Sequence, residues 1–167
     1  MAADPDDFKA ALGRFASGVT VVTLGGAEDH GMTASAFCSL SLDPPLVLVC
    51  VKTGNTTHGK LIASKGFGVN ILGRDQVHLS NRFAGWGAAP DQDKWADLDI
   101  QRGPVSGAPL ISGALAHLDC SLYGTQDGGD HTIFIGRVEN AEGFGDRDSL
   151  EPLLYFAGGY RGVGESL

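Results

Sequence analysis

Two strand-like runs, Leu115 to Tyr123 and His131 to Val138, flank the turn Asp127-Gly128-Gly129-Asp130. Adjacent glycines between acidic turn formers supply the positive φ angles that a tight hairpin requires, so the two runs must pair antiparallel. A chain committed to that hairpin, and lacking any regular strand–helix–strand alternation around it, folds around an antiparallel sheet rather than a doubly wound parallel one.

The remaining segments extend this reading. Asp4-Pro5-Asp6-Asp7 opens a helix, with Asp4 as N-cap and Pro5 at the first helical position. Phe8, Ala11, Leu12, Phe15 and Ala16 continue at helical spacing up to Gly18. Val19 to Leu24 reads as a strand that turns at Gly25-Gly26 and returns from Gly31. Met32 to Leu42 reads as one further strand. Near its end Cys38, Leu40 and Leu42 alternate with Ser39 and Ser41, giving a greasy face and a hydroxyl face that looks onto a polar site. After Asp43-Pro44-Pro45, Leu46 to Val51 forms a continuous apolar strand. Short helices follow over Thr57 to Ser64 and Asp75 to Phe83, the latter with Val77 and Leu79 inward, and a strand lies between them over Phe67 to Leu72. Gly85 to Pro109 is irregular, and the apolar tail from Leu153 to Tyr160 packs down. Five or six strands and three short helices form a single domain over 1–167, a mainly β antiparallel barrel with short helices.

The net charge is −8, with no lysine or arginine cluster. This excludes nucleic acid and an anionic membrane surface as main partners, and an anionic cofactor would need local cations and backbone donors. The N-terminus lacks the basic and apolar regions of a signal peptide, and no apolar stretch approaches a membrane span. Cys38, Cys50 and Cys120 are odd in number and sit in strand-like segments, so the expectation is reduced thiols in a cytoplasmic protein.

Common catalytic motifs are absent. There is no GxxxxGK[ST] loop and no GxSxG elbow. The glycine-rich Gly158 to Gly162 segment lies at the C-terminus, with no strand–helix unit after it. His30, His58, His78, His117 and His131 form no HxH, HxxxH or HExxH, so no metal site is expected. Such a chain either binds a ligand or borrows a cofactor's chemistry.

Five segments then agree in order and spacing with one family. They are Phe15-Ala16-Ser17-Gly18-Val19-Thr20-Val21-Val22-Thr23; Gly31 to Leu46, including Met32-Thr33-Ala34-Ser35-Ala36; Ser80-Asn81-Arg82-Phe83-Ala84-Gly85; Gly129 to Val138 with its Gly-Asp-His; and Pro152-Leu153-Leu154-Tyr155-Phe156 with Gly159-Tyr160-Arg161. Together they resemble the short-chain flavin reductases, the reductase components of two-component flavin monooxygenases. The resemblance implies an FMN-binding split β-barrel. It implies a flavin ring along Met32, Thr33, Ala34, Ser35 and Ala36, where small residues let a flat ring approach the backbone. It implies a flavin phosphate held by Val51, Lys52, Asn55, Thr56 and Thr57 at a helix N-terminus, with Asn55 standing where the family carries a serine. Phe83 and Ala84, with Gly85 beside them, would border the flavin, Arg82 would reach its phosphate, and Tyr160 would help complete a nicotinamide pocket. His131 would orient the nicotinamide.

The implied reaction is hydride transfer from NADH or NADPH to FMN or FAD, in a homodimer that supplies reduced flavin to a flavin-dependent monooxygenase. The choice within each cofactor pair, and the partner oxygenase, stay open. The alternatives are a split-barrel oxidase with tightly bound FMN, a non-catalytic flavin binder and a ligand-free dimerisation domain.

Overall fold

The computed structural model describes residues 2–85, 93–146 and 149–164. Its framework is a seven-stranded, wholly antiparallel sheet. In chain order its strands are β2 (Thr20–Leu24), β3 (His30–Ala34), β4 (Phe37–Leu42), β5 (Pro45–Lys52), β6 (Gly66–Ile71), β9 (Ala116–Gly128) and β10 (His131–Gly143). Their spatial order is β3-β2-β6-β9-β10-β5-β4. The two edge strands, β3 and β4, are therefore consecutive in the chain and joined only by Ser35-Ala36. The sheet curls back on itself and stops short of closure at that junction, as a split barrel does.

Around this sheet lie α1 (Pro5–Leu12), α2 (Thr56–Ala63), α3 (Val77–Ala84) and a 3-10 turn at Arg74–Gln76. Two small accessory sheets complete the fold. In the first, β1 (Ser17–Gly18) pairs with β11 (Leu154–Phe156), which pairs with β12 (Gly159–Arg161). In the second, β7 (Ile100–Arg102) pairs with β8 (Pro109–Ile111). The tail thus packs down as expected. The 127–130 hairpin forms with Gly128 opposite His131 and Gly129 at φ +80°.

Period-two alternation on β2 divides the buried residues between two cores. Val22 and Leu24 join Val47, Val49, Val51, Phe67, Val69, Cys120 and Phe134 inside the curl. Val21, with Val19 beside it, joins Leu72, Leu79, Phe83, Ile111 and Leu153 under α3 and the tail. Every residue of β2 is consequently buried. On β5 only one face is covered: Val47, Val49 and Val51 point inward, whereas Leu46, Leu48 and Cys50 remain half-exposed. The continuous apolar run at 46–51 therefore describes a strand whose second face is apolar and open.

Four expectations need correction. The described residues form twelve strands, seven of them in the main sheet, rather than five or six. Helix α1 ends at Leu12 with Gly13 as C-cap, not at Gly18. Beyond the cap the N–H groups of Arg14 and Phe15 bond three residues back, and Ser17–Gly18 pairs with the tail instead. The span from Met32 to Leu42 is two strands, broken at Ser35-Ala36 where the chain crosses from one sheet edge to the other. Near its end, a register shift between Ser39 and Ser41 interrupts the alternation, and the side exposed most strongly is apolar, with Leu42 95% accessible. Finally, Gly85 to Pro109 contains a strand, β7, although its residues 86–92 lie outside the described residues.

Candidate active site

The gap between the sheet edges opens onto two adjoining hollows. A cleft of about 220 Å³ is lined by Val19, Thr33, Ser35, Ser80, Ala84, Tyr155 and Tyr160. A larger, mostly apolar groove of about 590 Å³ shares Ser35 and Tyr155 with it and runs over Ala36, Cys38, Leu48 and Cys50 towards Leu12, Phe15 and Phe156.

Alternation along β3 decides which sequence-derived candidates face these hollows. Thr33 lines the cleft, while Met32 and Ala34 turn into the inner core. Ser35 and Ala36, in the break between strands, are exposed and line the groove. Met32 and Ala34 therefore have only backbone to offer a ligand. Val51 and Phe83 are likewise core residues, 1% and 2% accessible. The Phe83 ring lies 4.9 Å from that of Trp95. Arg82 donates to the Ala96 carbonyl at 3.0 Å, tying α3 to the segment beyond it. Ala84 lines the cleft, and Gly85 caps α3 in the left-handed conformation that glycine accommodates, φ +77°.

The segment that opens α2 is folded by its own capping. Asn55 Oδ1 accepts from the His58 N–H at 2.7 Å, the N-cap its residue type favours. Thr57 is buried, and its hydroxyl lies 2.7 Å from His30 Nε2. Burial, with Lys60 and then Lys94 nearby, pushes the His30 imidazole below its ordinary pKa. Thr56 and Lys52 are exposed. The first turn of α2 still presents helix-end N–H groups and the positive end of its dipole.

His131 lines neither hollow. It pairs with Lys52 in the ladder, whereas Ile133 pairs with Cys50 of the groove wall. Opposed residues share a face, so His131 and Lys52 stand on the groove's own face one step beyond its last wall residue, about 7 Å along the strand. The imidazole Nδ1 lies 2.7 Å from Asp130 Oδ1, and this hydrogen bond holds the Asp130 carboxyl below the usual carboxylate range.

Sequence reasoning missed Ser80, Tyr155 and Val19 as lining residues. All three lie within the segments that carry the family resemblance. Nothing in their spacing marks them, because the cleft is assembled by the residue before β2, by β3, by α3 and by the tail, far apart in the chain. Among the described residues no cluster of His, Cys, Asp and Glu could hold a metal.

A flat heteroaromatic cofactor fits this architecture. The floor at Ser35-Ala36 is small and exposed, the groove volume falls within the range of ligand pockets, and its wall is apolar with hydroxyls at one end. A curled antiparallel sheet with such a slot at its gap has the architecture of a split barrel. Residues 12–164 match the family model described as flavin reductase like domain, and the chain belongs to that family.

Its relatives agree. It is 43% identical over 161 residues to an NADH-dependent FAD reductase of Streptomyces globisporus, covering 95% of this chain and 87% of that protein. It is 37% identical over 163 residues to HsaB of Rhodococcus jostii, the reductase subunit of a flavin-dependent monooxygenase, covering 97% of this chain and 80% of that protein. The solved structure of the Streptomyces globisporus NADH:FAD oxidoreductase SgcE6 matches with a TM-score of 0.88 at 40% identity, covering 99% of this chain and 98% of that one. A second structure of that protein is in complex with NAD and FAD fragments.

Proposed function

We propose that the protein is an NADH:flavin oxidoreductase that reduces FAD or FMN for use by a separate monooxygenase component. The observation that carries this reading is the small-residue strand break, Ser35-Ala36, opening onto a groove and cleft within a family whose relatives are NADH-dependent flavin reductases by name. When bound, a flavin supplies the electrophilic N5 that accepts the hydride leaving C4 of the dihydronicotinamide.

The chain's task is positioning. Thr33, Ser35 and Ala36 carry one ring face, and backbone N–H groups at the break reach its polar edge. Tyr155, Tyr160 and Ala84 bound the cleft and exclude water from it. The α2 N-terminus, with Lys52 beside it, receives the phosphate. His131, its Nδ1–H donating to Asp130, keeps Nε2 as acceptor for the carboxamide N–H of the nicotinamide. Holding two rings face to face removes orientational entropy from the barrier, and no side chain has to move a proton in the hydride step.

The working unit is a homodimer. Phe15 is 75% and Leu12 53% accessible, and with Phe156 they line the groove whose wall is the open outer face of β5. Monomeric proteins rarely leave so much contiguous apolar surface uncovered, and a second subunit would also complete the groove walls. The three free cysteines accord with a reducing cytoplasm. Steady-state assays crossing NADH and NADPH with riboflavin, FMN and FAD test the proposal. NADH oxidation that depends on added flavin is the expected result, and none with any pair refutes it.

A further inference from the structure

Among the lining residues, one fully buried hydroxyl connects two walls of the cleft. Ser80, on α3, has 0% accessibility. Its backbone carbonyl accepts from Thr33 Oγ1 at 2.6 Å, and its own Oγ lies 2.8 Å from the Tyr160 hydroxyl. Tyr160 in turn donates to Asn81 Oδ1 at 3.0 Å. With the phenolic proton engaged by Asn81, Ser80 Oγ–H is the donor to Tyr160. Tyr160 sits on β12, and its ring meets Tyr155 of β11 edge-on at 5.7 Å. Through main chain and side chain together, Ser80 thus joins β3, which carries the cleft floor, to the C-terminal hairpin that carries both aromatic walls.

We infer that Ser80 is a positioning residue that sets the separation between Thr33 and Tyr160, and so the fit of the flavin ring system between them. The inference rests on the flavin-binding reading above. Two features favour this role over simple helix packing. Helix α3 is already anchored by Leu79 and Phe83 in the outer core and by the Arg82 bond to Ala96. The Ser80–Tyr160–Asn81 chain adds little burial to that anchoring but fixes a ring at the cleft surface. The Tyr160 hydroxyl also ties the hairpin to α3 through Ser80 and Asn81, in addition to the backbone pairing of β11 with β1.

The test is equilibrium binding of oxidised FAD and riboflavin, followed by quenching of flavin fluorescence, with thermal unfolding recorded in parallel. Ser80→Ala and Tyr160→Phe are each expected to raise the Kd about five- to tenfold, and the double variant no further than Tyr160→Phe alone, because the two changes break one shared bond. Riboflavin and FAD should weaken by the same factor, since the perturbation is confined to the ring. Tyr160→Phe keeps its partly exposed ring and guards against misfolding of the buried substitution. Multiplying single effects, unchanged Kd with only a lowered melting temperature, or a loss specific to FAD would each overturn the inference. A wild-type protein that binds neither flavin would instead sink the functional reading.

Discussion

Gly31 carries the contact that seats α3 against β3, and replacing it with alanine tests the packing that builds the cleft. A Cβ at this position would lie 2.6 Å from both Cδ1 and Cε1 of Phe83 and 3.4 Å from Trp95. Carbon atoms prefer about 3.5–4.0 Å, so the Phe83 ring must retreat by roughly 1 Å. It cannot slide freely, because Trp95 packs against it and Leu79, one helical turn away, is buried in the same core. Overpacking of this kind costs about 1–3 kcal/mol, which for a domain of this size lowers the melting temperature by roughly 2–12 °C. The displaced helix carries Ser80 and Ala84, so flavin affinity should fall as well. Calorimetry and a flavin titration on Gly31→Ala measure both effects, and Gly31→Ala with Phe83→Leu should recover part of the loss by making room for the methyl group. Unchanged stability and binding in Gly31→Ala would refute the packing account, as would a double variant whose losses simply add.

Other outcomes follow from the same geometry. Phe15→Glu with Leu12→Glu, at two exposed apolar positions beside the outer face of β5, should shift sedimentation from dimer to monomer; a monomeric wild-type protein would contradict the proposed assembly. His131→Ala should lower kcat/KM for NADH about tenfold, about 1.4 kcal/mol, while leaving flavin affinity in place, and equal loss of both would remove His131 from its nicotinamide role. The Cys120 thiol is pushed up to about 12 by burial first, then by Asp119 and Glu139. The folded state keeps this proton above pH 9 while the unfolded chain loses it. Cys120 should therefore contribute stability that is intact below that pH and falls by up to about 1.4 kcal/mol per pH unit above it, a slope that Cys120→Ala reduces in denaturant titrations.

The antiparallel character of the fold, the 127–130 hairpin and the helix start at Asp4 are local properties, written in turn glycines and capping side chains. They are legible in the sequence for that reason. The break at Ser35-Ala36 is not, because Thr-Ala-Ser-Ala is compatible with a continuous strand and only closure of the sheet requires the crossing there. The apolar run at 46–51 misleads in the same way: periodicity cannot distinguish a strand buried on both faces from one whose outer face lies open. The neighbourhood of Thr33, Ser35, Ala84 and Tyr160 could be anticipated from family resemblance. Ser80 and Tyr155 emerge only from tertiary structure, and so does the engagement of the Thr57 hydroxyl by His30.

The central claim, that this chain holds a nicotinamide and a flavin ring face to face, is tested most directly by anaerobic stopped-flow reduction of bound FAD with NADH carrying deuterium at one or the other C4 position. A fixed stack predicts enzyme-dependent bleaching of the flavin, slowed by a primary isotope effect for one diastereomer and not for the other. Equal effects from both positions, or bleaching no faster than in free solution, would contradict it.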